Sequence, residues 1–464
     1  MTAPLRGLGA FFAARGVAVI GASADQRAGG RVLAALDRFG YRGGIYPVTR
    51  SHAELVGRPC FRAIADVPDP VDLAVIAIGA SAVPDTLREC GKRGIPAAIV
   101  FATGFGGETA DGPRLQRELE AALRESGVRI LGPNTLGLRF VPSGLFATFA
   151  HDVDSGVRPG NVAVIAQSGG LGVYLGAATL RRRLVGTRYL VDTGNELDLG
   201  SGEVLEHIAA DREVSCVGLL LEGSRDGRRL AAAVDRAVGS GIPVVFFKVG
   251  RSRAASTHIT SHTGALASSA ELFDAAMRDA GASVAHDEAE FLDALVIHDA
   301  GKAPKGRRLG VVTPSGGYAI LTLDAAERYG MELPQPTVPP TEDEAPDLRS
   351  GTLRNPYDWA SVGGALAGTR AAAVGWMLRQ PNVDAVLLWE AYNMEMERRD
   401  EVYAALARVL PGATKPLFAC GTSTPQFEET LKGLGVILFN EPMRLVRSLS
   451  VVAPPAEPAA ALPD

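Results

Sequence analysis

The sequence predicts an α/β protein made of three successive doubly wound units, each a parallel sheet with helices on its faces. Three observations carry this reading. Short runs of mostly β-branched residues recur along the 464-residue chain, each followed by a Gly-rich turn and an amphipathic stretch, the pattern of parallel strands joined by helices. The runs are continuously apolar rather than alternating, as strands covered on both faces require. Two of the cycles also open alike, with Val164-Ile-Ala-Gln-Ser-Gly-Gly170 and Val311-Val-Thr-Pro-Ser-Gly-Gly317, which read as a degenerate internal repeat.

The first unit, 1–140, supplies strands at 17–20, 44–48, 73–78, 97–101 and 128–131, with helical spacing at 31–39 and 114–125. A loop over 141–161 leads to the second unit, 141–302, whose strands fall at 162–166, 217–221 and 244–247. The basic, breaker-rich stretch 302–308 opens the third unit, 303–453, with strands at 309–312, 385–388 and 416–419. Within it 333–347, rich in Pro and acids, reads as an exposed linker loop. The Pro- and Ala-rich tail, 454–464, is expected to be disordered.

Composition narrows the function. Apolar residues make up 47%, charged residues 21% and aromatics 6%, an ordinary globular balance that fits neither disorder nor a disulfide scaffold. The 54 Gly and 29 Pro suit many short connections, and a net charge of -5 offers no field to attract nucleic acid or an anionic membrane. An anionic ligand must therefore be held locally. Cys60, Cys90, Cys216 and Cys420 are scattered, with no CxxC and no His at ligand spacing. Buried reduced thiols, a cytoplasmic location and no metal site are expected. The apolar stretch 8–14 is too short for a signal-peptide core, and no run approaches the roughly 20 residues of a membrane span.

Four motifs point to chemistry. The turn Gly21-Ala-Ser-Ala-Asp-Gln-Arg-Ala-Gly-Gly30 sits between a strand and a helix, where backbone N–H groups and the helix dipole cradle phosphate. It is not GxGxxG, and the second strand ends at Val48-Thr49-Arg50 with no acid for a ribose hydroxyl. A phosphorylated nucleotide held by a cation fits better than NAD, the alternative being a tight turn with no ligand. Gln167-Ser168-Gly169-Gly170 and Ser315-Gly316-Gly317 place small residues at two helix starts, suited to one phosphoryl group or simply to tight turns. The stretch Ser256-Thr-His-Ile-Thr-Ser-His262-Thr-Gly-Ala-Leu-Ala267 sets two histidines among hydroxyls. Either histidine could be structural; a neutral imidazole there could also attack a phosphoryl group if a carboxylate such as Glu222 steadied it. Gly132-Pro-Asn134 forms a sharp loop at a sheet's carboxyl edge, and Asn355 to Trp359 could cap a helix or line a pocket.

Val17-Ala-Val-Ile-Gly-Ala-Ser23, Tyr46-Pro-Val48, Gly132-Pro-Asn134, Gln167-Ser-Gly169, Gly194-Asn195, Leu221-Glu-Gly223, Lys248-Val-Gly-Arg251 and Ser261-His-Thr-Gly-Ala-Leu-Ala267 occur in this order. Together they resemble the α subunit of NDP-forming acyl-CoA synthetases, relatives of succinyl-CoA synthetase. The resemblance implies a Rossmann-like CoA-binding domain followed by two flavodoxin-like ligase domains. It implies His262 as the phosphorylated histidine, Glu222 as its partner carboxylate, and Ser168 to Gly170 and Ser315 to Gly317 as phosphate-facing helix starts. CoA would be held by Gly21, Ala22, Ser23, Val48, Thr49, Arg50, Ile78, Gly79 and Asn134. Thr135 stands where the family usually has Cys, and Pro314-Ser-Gly-Gly317 where it has Asn-Ala-Gly-Gly.

In that family acyl-CoA and phosphate give an acyl phosphate, the histidine takes the phosphoryl group, and an ATP-grasp module passes it to ADP. No such module follows 449 in this sequence, so a separate β subunit is expected to bring ATP or ADP and Mg2+, in a hetero- or homo-oligomer acting on a small carboxylic acid. The competing readings are a CoA-dependent lyase or thioesterase on the same scaffold, or a non-catalytic CoA-sensing module. A dehydrogenase ranks last, for want of GxGxxG and the ribose acid.

Overall fold

Strand β1 (Gly16–Ile20) is buried at every position, which is why its sequence shows no alternation. It lies between β2 (Gly44–Val48) and β3 (Leu73–Ile76), and β4 (Ala97–Val100) and β5 (Arg129–Leu131) extend the sheet in the order β2-β1-β3-β4-β5. Every pairing is parallel, and this is one of the two common doubly wound orders. The computed structural model describes residues 5, 7–107, 109–179, 185–255, 269–348, 351–359, 367–389, 399–421 and 425–455. The crossover helix Ala28–Arg38 buries Val32, Leu33 and Leu36 against this sheet, and Gly112–Ser126 buries Leu115, Leu119 and Ala122. Glycines in left-handed conformation end Gly112–Ser126 and the helix Val83–Arg93.

The second sheet has seven strands: β6 (Gly137–Phe140), β7 (Leu145–Thr148), β8 (Pro159–Ala166), β9 (Thr187–Asp192), β10 (Cys216–Leu221), β11 (Val244–Lys248) and β12 (Ser283–Ala285). Their order is β12-β11-β10-β8-β9-β6-β7. The five parallel strands repeat the arrangement of the first sheet, and the β6–β7 hairpin adds two antiparallel strands to the edge.

The stretch 141–161, expected as a loop, holds a strand of this sheet. Strand β6 pairs with β9 of the second sheet, and β7 lies inside the stretch read as loop. Arg139 explains the misreading, since a cation in mid-run looks like surface. Here it is 2% exposed, neutralised by the Asp152 carboxylate, which accepts from its Nη1 at 2.7 Å. Strand β9 was hidden in the same way, because it carries Arg188, paired with Asp211 at 2.7 Å, and ends in Asp192.

The chain divides into two compact units, Met1–Asp299, which holds both sheets above, and Ala300–Asp464. The latter carries β13 (Leu309–Thr313), β14 (Tyr357–Asp358), β15 (Ala385–Trp389), β16 (Leu417–Cys420) and β17 (Ile437–Phe439), ordered β14-β13-β15-β16-β17. Its pairings are again all parallel. Asn355 is buried and bonded to backbone. Its Oδ1 accepts from Val311 N–H at 2.9 Å and its Nδ2 donates to Leu309 O at 2.7 Å, pinning the chain beside β13. Trp359 and Trp389 are buried. Cys90, Cys216 and Cys420 are buried free thiols as expected, whereas Cys60 is partly exposed. The tail beyond 455 and Arg181 to Arg183 lie outside the described residues.

Candidate functional site

In sheets of this order the crevice for a ligand opens at the carboxyl ends of the strands on either side of the order reversal, here β1 and β3. Gly21 leaves β1 with φ +84, and a Cβ there would fall 2.4 Å from Ala77 O, so only glycine fits. The Gly21 and Ala22 N–H groups donate to Val48 O at 3.1 and 3.4 Å, and Thr49 N–H donates to Phe61 O at 2.9 Å. Gly21 to Ser23, Val48 to Arg50 and Ile78 to Gly79 therefore gather at one pole of the sheet. Arg50 is exposed and has no ion-pair partner among the described residues, which leaves its guanidinium for an external anion. Ser23 Oγ, in contrast, already donates to Asp25 Oδ1 at 2.7 Å. Asn134 stands apart from this group. It follows β5, three strands from β1, a separation of roughly 14 Å at the usual strand spacing. Its Nδ2 donates to Asn195 Oδ1 at 3.1 Å in the turn after β9.

The second pole lies at the ends of the neighbouring strands β8, β10 and β11. Ser168 precedes a helix that begins at Gly169. A Cβ on Gly169 would sit 2.4 Å from Leu136 Cγ and 2.7 Å from Asp192 Oδ2, whereas Gly170 has nothing within 4 Å and faces outward. The close packing fixes the turn from behind and leaves its front open. Gln167 Oε1 accepts from the N–H groups of Glu222 and Gly223 at 2.6 and 3.0 Å. This places Glu222 beside the Ser168 turn. Lys248, 3% exposed, donates from Nζ to Glu222 O at 2.6 Å and to Val249 O at 2.7 Å. Burial lowers its pKa, and the Glu222 charge opposes that.

His262 lies in 256–268, outside the described residues. Both flanks of that segment are described. Arg251 follows β11 and its Nη1 reaches Asp274 Oδ1 at 3.1 Å, on the helix Ala270–Asp279 that begins behind the capping Ser269. One ion pair thus ties the entry of the histidine segment to its exit.

Two acids escaped the sequence reading. Asp192, buried at the end of β9, accepts from Leu136 N–H at 2.6 Å and Gly194 N–H at 3.2 Å. Burial pushes its pKa up to about 7; these N–H donors oppose the rise and the Glu222 charge adds to it. Glu196 has φ +49 and is 6% exposed. Its Oε1 accepts from Thr193 Oγ1 at 2.9 Å and Ser201 N–H at 3.1 Å, and burial raises its pKa above the ordinary carboxylate range. The available signal was their setting: both flank Gly194-Asn195 at a strand end, but an acid beside a Gly turn ordinarily reads as solvated.

In the unit Ala300–Asp464, Ser315 precedes the helix Gly316–Tyr329, and its N–H donates to Thr313 Oγ1 at 3.2 Å. Asp358 Oδ2 lies 3.4 Å from where a Gly316 Cβ would be, so this helix start faces a carboxylate as well as solvent. Tyr318 stacks on Trp389 with ring centroids 5.2 Å apart. Tyr392 is outside the described residues. Among the described residues no group of His, Cys, Asp and Glu could hold a metal ion, and no helix is long and apolar enough to cross a membrane.

Residues 15–140 match the family model of a CoA binding domain, and residues 159–297 that of a succinyl-CoA ligase like flavodoxin domain. An ADP-forming acetate–CoA ligase I α subunit of Pyrococcus furiosus is 30% identical, over 96% of this chain and 97% of its own length. The chain belongs to the ADP-forming acyl-CoA ligase family. It is an α-subunit-type chain of that family, with the CoA-binding domain first and the flavodoxin-like domain next. An Archaeoglobus fulgidus ADP-forming acetate–CoA ligase I is 32% identical over 94% of this chain, which spans 62% of that longer protein. The dinucleotide-forming acetyl-coenzyme A synthetase 1 of Candidatus Korarchaeum cryptofilum, solved with phosphate and ADP, aligns with a TM-score of 0.84, 27% identity and 97% coverage of this chain and 96% of that one.

Proposed function

We propose that this ligase chain binds CoA at the Gly21, Val48 and Ile78 loops and carries phosphoryl groups on His262, with Glu222 as the partner carboxylate. The observation that supports this most directly is the grouping, at adjacent strand ends, of the Gln167–Gly170 turn, Glu222 and both ends of the histidine segment. In this reading phosphate attacks the thioester carbonyl of acyl-CoA, the C–S bond breaks, and the thiolate leaves as CoA after taking a proton. The acyl phosphate then loses its phosphoryl group to the neutral imidazole: an N–P bond forms, the P–O bond breaks and a free carboxylate departs. Backbone N–H groups of the Ser168 turn stabilise the charge on the transferring oxygens. The Glu222 carboxylate holds the imidazole in the tautomer that presents a lone pair and offsets the cationic ring. Ser315 to Gly317 would serve as a second such helix start.

The nucleotide half-reaction falls, in our reading, to an ATP-grasp partner subunit carrying ADP and Mg2+. The naming of relatives as α subunits and the extra length of the Archaeoglobus relative support that partner. The substrate is a small carboxylic acid, and the four free cysteines fit a cytoplasmic setting. Incubating the full chain with radiolabelled inorganic phosphate and acetyl-CoA should leave acid-labile label on the wild type and none on H262A. Absence of label across a panel of acyl-CoAs, with and without the partner subunit and ATP, would overturn this reading.

A further inference from the structure

Parallel strands β8 and β10 are joined by ladder bonds only as far as Gln167 N–H, which donates to Leu220 O at 3.0 Å. Beyond that point the Gln167 side chain takes over, its Oε1 accepting from both Glu222 N–H and Gly223 N–H. A carboxamide has one accepting and one donating end, so with Oε1 committed its Nε2 is the end left to donate. Glu196 is the acceptor at hand: Thr193 Oγ1 donates to its Oε1 at 2.9 Å and reaches the carbonyl of Ala166, the residue before Gln167, at 3.3 Å, which sets the Glu196 carboxylate beside the Gln167 amide. Glu196 also accepts from Thr193 Oγ1, Ser201 Oγ and Ser201 N–H. Were the Gln167 amide turned over, its NH2 would face two N–H donors and its oxygen a carboxylate. The acid therefore imposes a single orientation on the amide.

This arrangement is costly. Glu196 is buried as an acid and held at φ +49, a conformation that non-glycine residues adopt at a penalty and that tends to persist where surrounding contacts enforce it at functional sites. Its four donors come from Gln167 at the end of β8, the turn after β9 and the start of the helix Ser201–Ile208. A sheet edge needing only satisfied N–H groups could leave them to water.

We propose that Gln167, paired with the buried Glu196, is the positioning device for Glu222: Glu196 orients the Gln167 carboxamide, which holds the Glu222–Gly223 backbone and so sets the carboxylate beside the phosphate turn. The proposal rests on the phosphohistidine reading above. Neither residue touches substrate; both act through Glu222.

The test is an amide–acid exchange in the full-length chain with its partner subunit. In E196Q two amides face each other and, whichever way they turn, donors oppose donors at Gln167, Thr193 or Ser201. In the double variant Q167E/E196Q the acid accepts from Glu222 and Gly223 while the carboxamide introduced at position 196 donates to it, and every hydrogen bond returns with side-chain shape unchanged. E196Q and Q167M should label His262 from radiolabelled phosphate and acetyl-CoA roughly 10- to 100-fold more slowly, the cost of displacing a reacting group by about 1 Å, with KM for CoA unchanged. The double variant should recover to within about threefold of the wild type. Circular dichroism melting establishes that each variant is folded. Folded E196Q and Q167M that label at the wild-type rate would overturn the proposal alone, as would a folded double variant no faster than E196Q. An unlabelled wild type would overturn the phosphohistidine reading and this proposal with it.

Discussion

Asp192 shows how one side chain links burial to pH. Its carboxyl is pushed up to about 7 from an ordinary 3.8, so the folded chain keeps this proton where the unfolded chain has lost it. Below the ordinary value both states are protonated and the group contributes nothing to the pH dependence. Between the two values folding takes up a proton, and stability falls as pH rises, until above about 7 the full penalty is present. Melting temperatures recorded from pH 4.5 to 7.5 should decline less steeply in D192N than in the wild type. Glu196 is raised in the same sense, so a residual slope should remain; parallel curves would refute the assignment. Gly21 gives a second test at this scale. An Ala there combines φ +84 with a Cβ at 2.4 Å from a backbone oxygen, so G21A should lower stability by about 1–3 kcal/mol and raise KM for CoA. An unchanged KM would separate this turn from the CoA site.

At the scale of elements, the edge hairpin β6–β7 depends on a charge pair and not only on apolar burial. Arg139 is 3% and Asp152 12% exposed at the side chain, and removing one partner of so dry a pair strands the other, at a cost of about 3–5 kcal/mol. Urea denaturation of R139M should show a loss of that size, with the double variant R139M/D152L regaining much of it. Equal stability of R139M and wild type would mean that the hairpin stands on its apolar contacts alone. The same element shows why a strand can escape notice in a sequence. Long runs such as Val162 to Ala166 announce themselves by apolar continuity, while GLRF and TRYLVD are interrupted by arginines. Those arginines read as solvated until Asp152 and Asp211, 13 and 23 residues away, are placed beside them. No local pattern encodes such a pairing.

For the whole chain, division into Met1–Asp299 and Ala300–Asp464 predicts a specific behaviour. A chain of residues 1–299 expressed alone should fold, bind CoA and melt cooperatively, because it contains two complete sheets and the pole we propose for CoA. Failure to melt cooperatively would show that its sheets need the remainder of the chain. The parallel strands of the three sheets share one order; what was legible in the sequence was that each is a doubly wound parallel sheet. Alternation of apolar runs with Gly-rich turns is a local property, and the right-handed crossover rule leaves few ways to assemble it. The gathering of the loops we propose for CoA was legible for a related reason: Gly21, Arg50 and Gly79 each follow a strand, and the carboxyl ends of parallel strands converge by construction. The grouping of Gln167, Glu196, Glu222 and Lys248 was not. Each comes from a different strand end, and each is a polar residue whose ordinary fate is solvent. Burial of Glu196 and Lys248 is tolerable only when donors and acceptors match, and Lys248 and Gln167 meet the Glu222 backbone across 26 and 55 residues of chain; that matching exists only once the sheet has formed. Linear order thus specifies the parallel sheets, their turns and the histidine-bearing motif, whereas long-range closure of the sheet decides which polar groups meet at the strand ends.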